Sequence, residues 1–233
     1  MAFTPAGENI RYTKNDEAFE GYYVAAQGTP KGSVIIIHDW DGLDDYERQR
    51  ADMLAKKGYN AFALDIFGAN NRPQAIEDKQ AATNRLYQDR KRMRQLTEAG
   101  IEAANAQGAD NSVLLGYCFG GTLALEMARA GTTDNIIGYA SFHGGLQIPE
   151  GQQYDTDTAP IFIAHGGADN IVSLDDVVSL AGELEEAAIE YEIGIYANAP
   201  HAFSVFNSDR YHETADQRSW ETFTDWLRDN IAL

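Results

Sequence analysis

The chain has only one cysteine among its 233 residues, so no disulfide can form within it and the fold depends on its core. Its 44% content of hydrophobic residues is sufficient for such a core, and its length suits one large domain. We expect a single domain over residues 1–233. The first residues, Met1 to Pro5, lack the basic and apolar regions of a signal peptide, which favours a cytoplasmic location.

Long apolar runs are also absent from the sequence. Short runs such as Val34–Ile37 are among the longest. A membrane-spanning helix needs about 18 consecutive apolar residues. We therefore expect no membrane partner.

Basic residues are scarce relative to acidic ones, 18 against 36, which leaves a formal net charge of −18. This surplus of negative charge argues against nucleic acid or an anionic membrane surface as a partner. One basic cluster is present, formed by Arg85, Arg90, Lys91, Arg92 and Arg94. It could attract a small anion, but a solvated helix face is the simpler interpretation.

Runs of strand-forming residues alternate with helical segments along most of the chain, after a short amino-terminal hairpin. The hairpin is predicted over Glu8–Thr13 and Ala18–Ala25. Further strands are predicted over Ser33–His38, Asn60–Ile66, Asn111–Tyr117, Ile136–Phe142, Ile161–His165 and Tyr191–Ala197. This alternation predicts an α/β fold with a mostly parallel central sheet and helices on both faces.

Two of the predicted helices begin with a capping pair, in which a polar side chain and an acid three residues later bind the first backbone amides. Asp44 and Glu47 form one such pair. Ser173 and Asp176 form the other, at the start of a helix predicted over Leu174–Ile189.

The remaining helix boundaries rest on weaker signals. The helix after the first capping pair is predicted to run to Lys57, before Gly58. The stretch from Pro73 to Gln107 is predicted to form one kinked helix or two, with Gly100 as the candidate break. The last helix is predicted from about 209 to 230, with His212 inside it.

The single cysteine, Cys118, lies in the segment Gly-Tyr-Cys-Phe-Gly-Gly at 116–121, between a predicted strand and a helix. Glycines on both sides allow the tight turn on which hydrolases of the G-x-S-x-G type present their nucleophile. The amino end of the following helix favours the thiolate form of a cysteine there. A small buried cysteine is the alternative, and the hexapeptide alone does not separate the two.

An acid and a histidine follow two later strands, where a parallel sheet gathers its reactive groups. Asp169 ends the segment His-Gly-Gly-Ala-Asp, and His201 lies in Asn-Ala-Pro-His-Ala-Phe. The order Cys118, Asp169, His201 is the nucleophile–acid–histidine order of α/β-hydrolases, which predicts a catalytic triad. The loop Asp39-Trp40-Asp41-Gly42-Leu43 is expected to supply the second oxyanion donor.

The other histidines are weaker candidates for a role in the reaction. His143 follows the strand predicted over Ile136–Phe142, so it and Phe203 are candidates to line a substrate pocket. His165 precedes a glycine pair, and we expect it to anchor that loop. His38 ends an early strand and matters less than the loop after it.

Four segments together resemble the dienelactone hydrolase family of α/β-hydrolases: the hexapeptide around Cys118, His-Gly-Gly-Ala-Asp, Pro-His-Ala-Phe, and His-Asp-Trp-Asp-Gly-Leu at 38–43. The resemblance extends from Ser33 to the final helix and implies an α/β-hydrolase fold. It implies that Cys118, Asp169 and His201 are the catalytic residues. It also implies that the backbone amides of Phe119 and Trp40 form the oxyanion hole.

The chain departs from that family at two positions. Asp39 stands where the family has a glutamate that contacts the resting thiol and controls its ionisation, and its side chain is one methylene shorter. Val205 stands near where the founding enzymes have a substrate-binding arginine after the catalytic histidine. Other arginines could supply a carboxylate contact: Arg85, Arg90, Arg94 and Arg210. The change at Val205 argues against dienelactone itself as the substrate.

The resemblance predicts hydrolysis of a small-molecule ester or lactone through an acyl-thioester, with no cofactor or metal, by a monomer or a homodimer. Activated acyl groups are the expected substrates, because a thiolate leaves a tetrahedral intermediate more readily than a simple alkoxide does. A general carboxylesterase or thioesterase of the same family is the first alternative. A thiol redox sensor is the alternative from another class, although the chain contains no resolving cysteine. A non-catalytic binding module on the same fold is a further alternative.

Overall fold

The computed structural model describes residues 3–131 and 135–231, so residues 1–2, 132–134 and 232–233 of the predicted domain lie outside the described residues. The chain divides into two compact units, one up to Ser112 and the other from Val113 onward. Each unit has strands with helices packed on them. Within the described ranges, no helix is long and apolar enough to cross a membrane.

The first unit consists of β1 (Glu8–Lys14), β2 (Glu17–Val24), β3 (Ser33–Ile37), α1 (Asp45–Lys56), β4 (Asn60–Leu64), α2 (Ile76–Gln88) and α3 (Arg90–Asn105). Its strands lie in the order β1-β2-β4-β3. The hairpin β1–β2 is antiparallel and β2 runs antiparallel to β4, whereas β3 and β4 are parallel. Every residue of β3 is buried, as its continuous apolar sequence predicts.

Helices cover both faces of the strands in this unit. Tyr22 lies opposite Ala63 in the β2–β4 register, and its hydroxyl donates to Asp52 of α1 at 2.6 Å. The next residue of β4, Leu64, points to the other face because side chains alternate along a strand. There it lies against Gly100 of α3. The predicted layering is therefore confirmed for this unit.

The second unit consists of β5 (Ser112–Tyr117), α4 (Phe119–Ala130), β6 (Ile136–Phe142), β7 (Ile161–Gly166), α5 (Leu174–Glu186), β8 (Tyr191–Tyr196) and α6 (Glu213–Asn230). Its strands lie in the order β5-β6-β7-β8. The pairs β6–β7 and β7–β8 are parallel, which places the ends of these strands at one edge.

Here too helices pack on both faces. Ser141 of β6 faces α4, where a Cβ on Gly121 would lie 2.5 Å from its Oγ. The adjacent Phe142 points the other way and packs edge-on against Phe223 of α6, with ring centroids 5.6 Å apart. The α/β prediction, with a mostly parallel sheet between helices, is thus confirmed.

Both predicted capping pairs are present. The side chain of Asp44 accepts from the first turn of α1 while Glu47 accepts from the amide of Asp44, and Ser173 and Asp176 do the same at α5. These reciprocal bonds satisfy amides that the helix itself leaves unpaired.

Three helix-boundary predictions are wrong. One concerns the end of α5, which lies at Glu186 rather than at Ile189. The stretch 73–107 forms two helices, but the break lies at Asp89, whose side chain accepts from the amide of Arg92 at 2.9 Å, and Gly100 lies inside α3. The last helix begins at Glu213 rather than at about Asp209, so His212 is its N-cap. The Nδ1 atom of His212 accepts from the amide of Ala215 at 3.3 Å.

Candidate active site

Cys118 occupies a strained turn between β5 and α4. Its backbone has φ 49° and ψ −111°, in the half of conformational space that non-glycine residues rarely adopt. A Cβ on Gly116 would overlap the backbone of Gly120, so only glycine permits this close strand–helix approach. The amide of Cys118 donates to the carbonyl of Phe142 at 2.9 Å, and the cysteine is partly exposed.

The structure places Cys118, His201 and Asp169 in a series of contacts, with His201 between the other two. The Sγ atom of Cys118 lies 3.2 Å from Nε2 of His201, and Nδ1 of His201 lies 2.8 Å from Oδ2 of Asp169. An Nδ1–H donated to Asp169 leaves Nε2 free of a proton and able to accept one from the thiol. This arrangement can activate a nucleophilic sulfur.

Asp169 is held in its ionised form by its surroundings. Its Oδ1 atom accepts from the amides of Ile171 and Val172, at 2.8 and 3.0 Å, while Oδ2 faces His201. Burial alone would raise the pKa of Asp169, but the hydrogen bonds from His201 and the two amides outweigh burial and lower it. A charged carboxylate can stabilise the imidazolium that forms during proton transfer.

His143 lies directly behind His201 and is almost fully buried, with 1% of its surface exposed. Its ring meets the His201 ring edge-on at 5.6 Å and the Phe203 ring at 5.4 Å. Its Nε2 atom lies 2.8 Å from the hydroxyl of Ser204. The pocket-lining role of His143 and Phe203 stays a prediction.

Ser204 and Thr122 are site residues that the sequence interpretation missed. Thr122, on α4, accepts at its Oγ1 atom from the amide of Gly145 at 2.8 Å. Ser204 is fully buried. The only sequence signal for Ser204 is its place three residues after His201.

His165 is buried, with 1% of its surface exposed. Neither of its ring nitrogens has a hydrogen-bond partner within the described residues, so the expected anchoring of its loop does not run through the ring. Burial lowers the pKa of His165, and the nearby carboxylate of Asp169 opposes that effect. The ring is therefore neutral at pH 7.

The early loop is firmly held inside the first unit. Oδ1 of Asp39 accepts from the amide of Asp41 at 3.0 Å, and the amide of Asp39 donates to Glu47 at 3.3 Å. Nζ of Lys79 lies 3.0 Å from Oδ2 of Asp41 and 5.4 Å from the centre of the Trp40 ring. Burial raises the pKa of both Asp39 and Glu47 well above their ordinary values. The oxyanion role of Trp40 and the gating role of Asp39 stay predictions.

The basic cluster includes an arginine that is paired with an acid. Arg92 pairs with both carboxylate oxygens of Glu17 at 2.7 Å, as a solvated helix face would. Across residues 3–131 and 135–231, no group of three or more His, Cys, Asp or Glu side chains is arranged to hold a metal ion.

Comparisons with known proteins agree with this architecture. The sequence model of the "Dienelactone hydrolase family" matches residues 19–231. A Bradyrhizobium sp. protein, named a probable 2-oxo-3-(5-oxofuran-2-ylidene)propanoate lactonase, is 30% identical over 213 residues, covering 84% of this chain and 83% of that protein. A carboxymethylenebutenolidase of Rhodococcus opacus is 27% identical, covering 86% of this chain and 82% of its own length.

Solved structures share the fold. The crystal structure of a dienelactone hydrolase-like promiscuous phosphotriesterase from metagenomic libraries has a TM-score of 0.86 at 23% identity, covering 97% of this chain and 98% of the other. An alpha/beta hydrolase from a Medee basin deep-sea metagenome library has a TM-score of 0.66 at 19% identity, covering 99% of this chain and 100% of the other. The α/β-hydrolase fold expected from the sequence is confirmed.

Proposed function

The chain belongs to the dienelactone hydrolase family of carboxylic ester hydrolases, and we propose that it cleaves activated esters or lactones through Cys118, His201 and Asp169. The observation that carries the proposal is the series of contacts from sulfur to imidazole to carboxylate, 3.2 and 2.8 Å long. Both distances are within hydrogen-bonding range. The lowered pKa of Asp169 supports its role as the charged partner of His201.

The first half-reaction forms an acyl-thioester. Nε2 of His201 takes the proton of Cys118 as the sulfur attacks the carbonyl carbon and a carbon–sulfur bond forms. The backbone amides of Phe119 and Trp40 are proposed to stabilise the negative oxygen. The carbon–oxygen bond of the leaving group then breaks, and His201 gives its proton to the departing oxygen, or to solvent when that oxygen leaves as an anion, so that the imidazole is neutral again.

The second half-reaction releases the acid. His201 takes a proton from water as the water oxygen attacks the thioester carbonyl. It then passes that proton to the sulfur as the carbon–sulfur bond breaks, which gives the carboxylic acid and the free thiol. Asp39 is proposed to influence the resting thiol from the early loop. Burial raises the pKa of Asp39 well above its ordinary value, which favours the neutral carboxyl.

The leaving group sets the substrate class. A thiolate is expelled from the tetrahedral intermediate more easily than a simple alkoxide, so only a good leaving group competes with it. Enol lactones, aryl esters and thioesters meet that requirement, and relatives of this chain bear the names lactonase and carboxymethylenebutenolidase. Val205, in place of an arginine after His201, favours the second candidate, a general carboxylesterase or thioesterase that does not act on dienelactone.

Three further expectations complete the proposal. The whole chain, residues 1–233, acts as one catalytic domain on a small molecule, with His143 and Phe203 as proposed lining of the substrate pocket. It works as a monomer or a homodimer. The lone cysteine is suited to the reducing environment of the cytoplasm.

The test is a panel of nitrophenyl and ethyl esters of one acid, together with cis-dienelactone, on the wild type and Cys118→Ala. We expect the variant to lose at least about 10³-fold in kcat/KM, and a thiol alkylator to abolish wild-type activity. The nitrophenyl ester should react at least about 100-fold faster than the ethyl ester. Activity that survives both treatments would remove Cys118 from the mechanism, and equal rates for the two esters would refute the leaving-group argument.

A further inference from the structure

Two buried polar side chains outside the proposed triad are bound to each other beside it. Nε2 of His143 and Oγ of Ser204 are 2.8 Å apart, with 1% and 0% of the two residues exposed. Burial of a hydroxyl or an imidazole is costly unless each finds a partner. This bond therefore fixes the two residues relative to each other more strictly than a surface bond would.

His143 belongs to a segment that is tied to the nucleophile turn. The residue before it, Phe142, accepts the amide of Cys118 at 2.9 Å, and the amide of Gly145 donates to Thr122 at 2.8 Å. The amide of His143 itself donates to the carbonyl of Ala164 in β7 at 2.8 Å. The backbone at His143 has φ 41°, a strained conformation that persists only where its surroundings impose it.

Ser204 belongs to the turn that carries His201. The intervening Ala202 also has a positive φ, 62°, and the carbonyl of Phe203 accepts the amide of His212 at 2.9 Å. The His143 ring touches the His201 ring edge-on. The His143–Ser204 bond thus joins the segment that is hydrogen-bonded to the backbone of Cys118 with the turn that carries His201.

We propose that His143 and Ser204 are a positioning pair that sets the distance between Sγ of Cys118 and Nε2 of His201. This inference rests on the proposed function of those two residues. Both members of the pair are almost fully buried and the His143 ring meets the His201 ring, so we infer that they act through His201 and are positioning residues rather than catalytic ones. An error of about 1 Å in such a distance costs about 10²-fold in rate.

Three substitutions distinguish the effect of the His143–Ser204 hydrogen bond from that of the contact between the His143 and His201 rings. Ser204→Ala removes the hydroxyl, and His143→Phe keeps an aromatic ring but loses the bond. His143→Gln loses the ring but places an amide nitrogen close to the position of Nε2. Ser219→Ala is the matched control, because Ser219 is also fully buried and its hydroxyl donates to Asp216 within α6.

We expect Ser204→Ala and His143→Phe to lower kcat for a nitrophenyl ester by about 10- to 100-fold, with KM changed less than about 2-fold. His143→Gln should restore kcat to within about 3-fold of the wild type. The pH dependence of the rate of Cys118 alkylation is a second measurement. When the imidazole lies further from the sulfur, a smaller fraction of Cys118 is thiolate at a given pH. That profile should shift to higher pH in Ser204→Ala and stay unchanged in Ser219→Ala.

Wild-type kcat and an unshifted alkylation profile in Ser204→Ala would overturn the inference. An equal loss in Ser219→Ala would also overturn it, because the effect would then be general destabilisation. Cys118→Ala, assayed beside these variants, distinguishes this failure from that of the proposed function. If Cys118→Ala is inactive while Ser204→Ala behaves as wild type, only the positioning role is refuted.

Discussion

Backbone strain is concentrated where the chemistry is proposed to occur. Among the described residues, those with positive φ that are not glycine, asparagine or aspartate are Cys118, His143, Ala188 and Ala202. Three of these four belong to the candidate active site. Each such conformation costs about 1–3 kcal/mol and has to be imposed by neighbouring structure. The hydrogen bonds that tie His143 and Cys118 to adjacent strands provide that constraint.

Asp169→Asn tests the carboxylate. An asparagine amide that donates to Nδ1 of His201 would select the tautomer with a proton on Nε2, which cannot accept from the thiol. We expect kcat/KM to fall by about 10³- to 10⁴-fold, measured with a nitrophenyl ester. Asp175→Asn, at an exposed acid in the first turn of α5, is the control and should keep wild-type activity. Retention of activity in Asp169→Asn would contradict the assignment.

Asp39→Asn tests the buried acid of the early loop. Burial raises the pKa of Asp39, so between the unfolded-state pKa and the folded-state pKa the folded state holds a proton that the unfolded state has lost. Its contribution to stability is present at low pH and is lost as pH rises through the folded-state pKa. Asparagine stays neutral and keeps the oxygen that accepts from Asp41. We expect the variant to gain about 1–3 kcal/mol in unfolding free energy at pH 8 and less at pH 5.

Urea unfolding at the two pH values measures this difference. Asp45→Asn is the control, because its carboxylate is 66% exposed. A gain of the same size in Asp39→Asn at both pH values would show that the Asp39 carboxyl does not titrate between them.

The sequence indicated which side chains of the proposed triad meet better than it indicated their supports. The contacts among Cys118, Asp169 and His201 were predictable because each residue follows a strand and brings a distinctive residue type to the sheet edge. Ser204 and Thr122 are ordinary residue types whose role depends on partners 61 and 23 positions away in the chain. No local pattern specifies such pairings, since they arise only when the strands are assembled.

At the level of whole elements, apolar periodicity predicted every strand to within two residues at each end, and β6 at Ile136–Phe142 without error. The errors lie where side-chain capping overrides composition. Asp89 ends α2 and caps α3 with a residue type that commonly caps helices, whereas His212 caps α6 with one that does not. Gly100 looked like a break because glycine weakens a helix, yet tertiary packing requires it there.

Gly100→Ala and Gly182→Ala form a matched pair that tests this packing. A Cβ on Gly100 would lie 2.8 Å from Cβ of the buried Leu64, so α3 would have to move from β4. We expect a net loss of about 1–3 kcal/mol in unfolding free energy, despite the better helix propensity of alanine. No atom lies within 4 Å of a Cβ on Gly182, so that variant should gain about 0.5–1 kcal/mol. Urea unfolding distinguishes them, and a gain in both would contradict the close approach.

Across the molecule as a whole, the fold stabilises some of the excess acidic residues. Acidic residues occupy the first turns of four of the described helices, where the helix dipole stabilises their charge: Asp45, Glu77 and Asp78, Asp175 and Asp176, and Glu213 and Asp216. Ion pairs such as Lys79–Asp41 and Arg92–Glu17 use up part of the smaller basic set. The net charge of −18 therefore leaves many carboxylates that repel one another at neutral pH.

Salt should consequently stabilise this protein at neutral pH. Screening shortens the reach of charge repulsion from about 10 Å at 0.1 M salt to about 3 Å at 1 M. We expect the urea midpoint at pH 7.5 to rise as NaCl is increased from 0.05 to 0.5 M, by an amount equivalent to about 1 kcal/mol. The same series near pH 4.5, the isoelectric point of the sequence, is the control, because net repulsion vanishes there and the gain should vanish with it. An equal gain at both pH values would mean that salt acts through burial of apolar surface rather than through the charge of the chain.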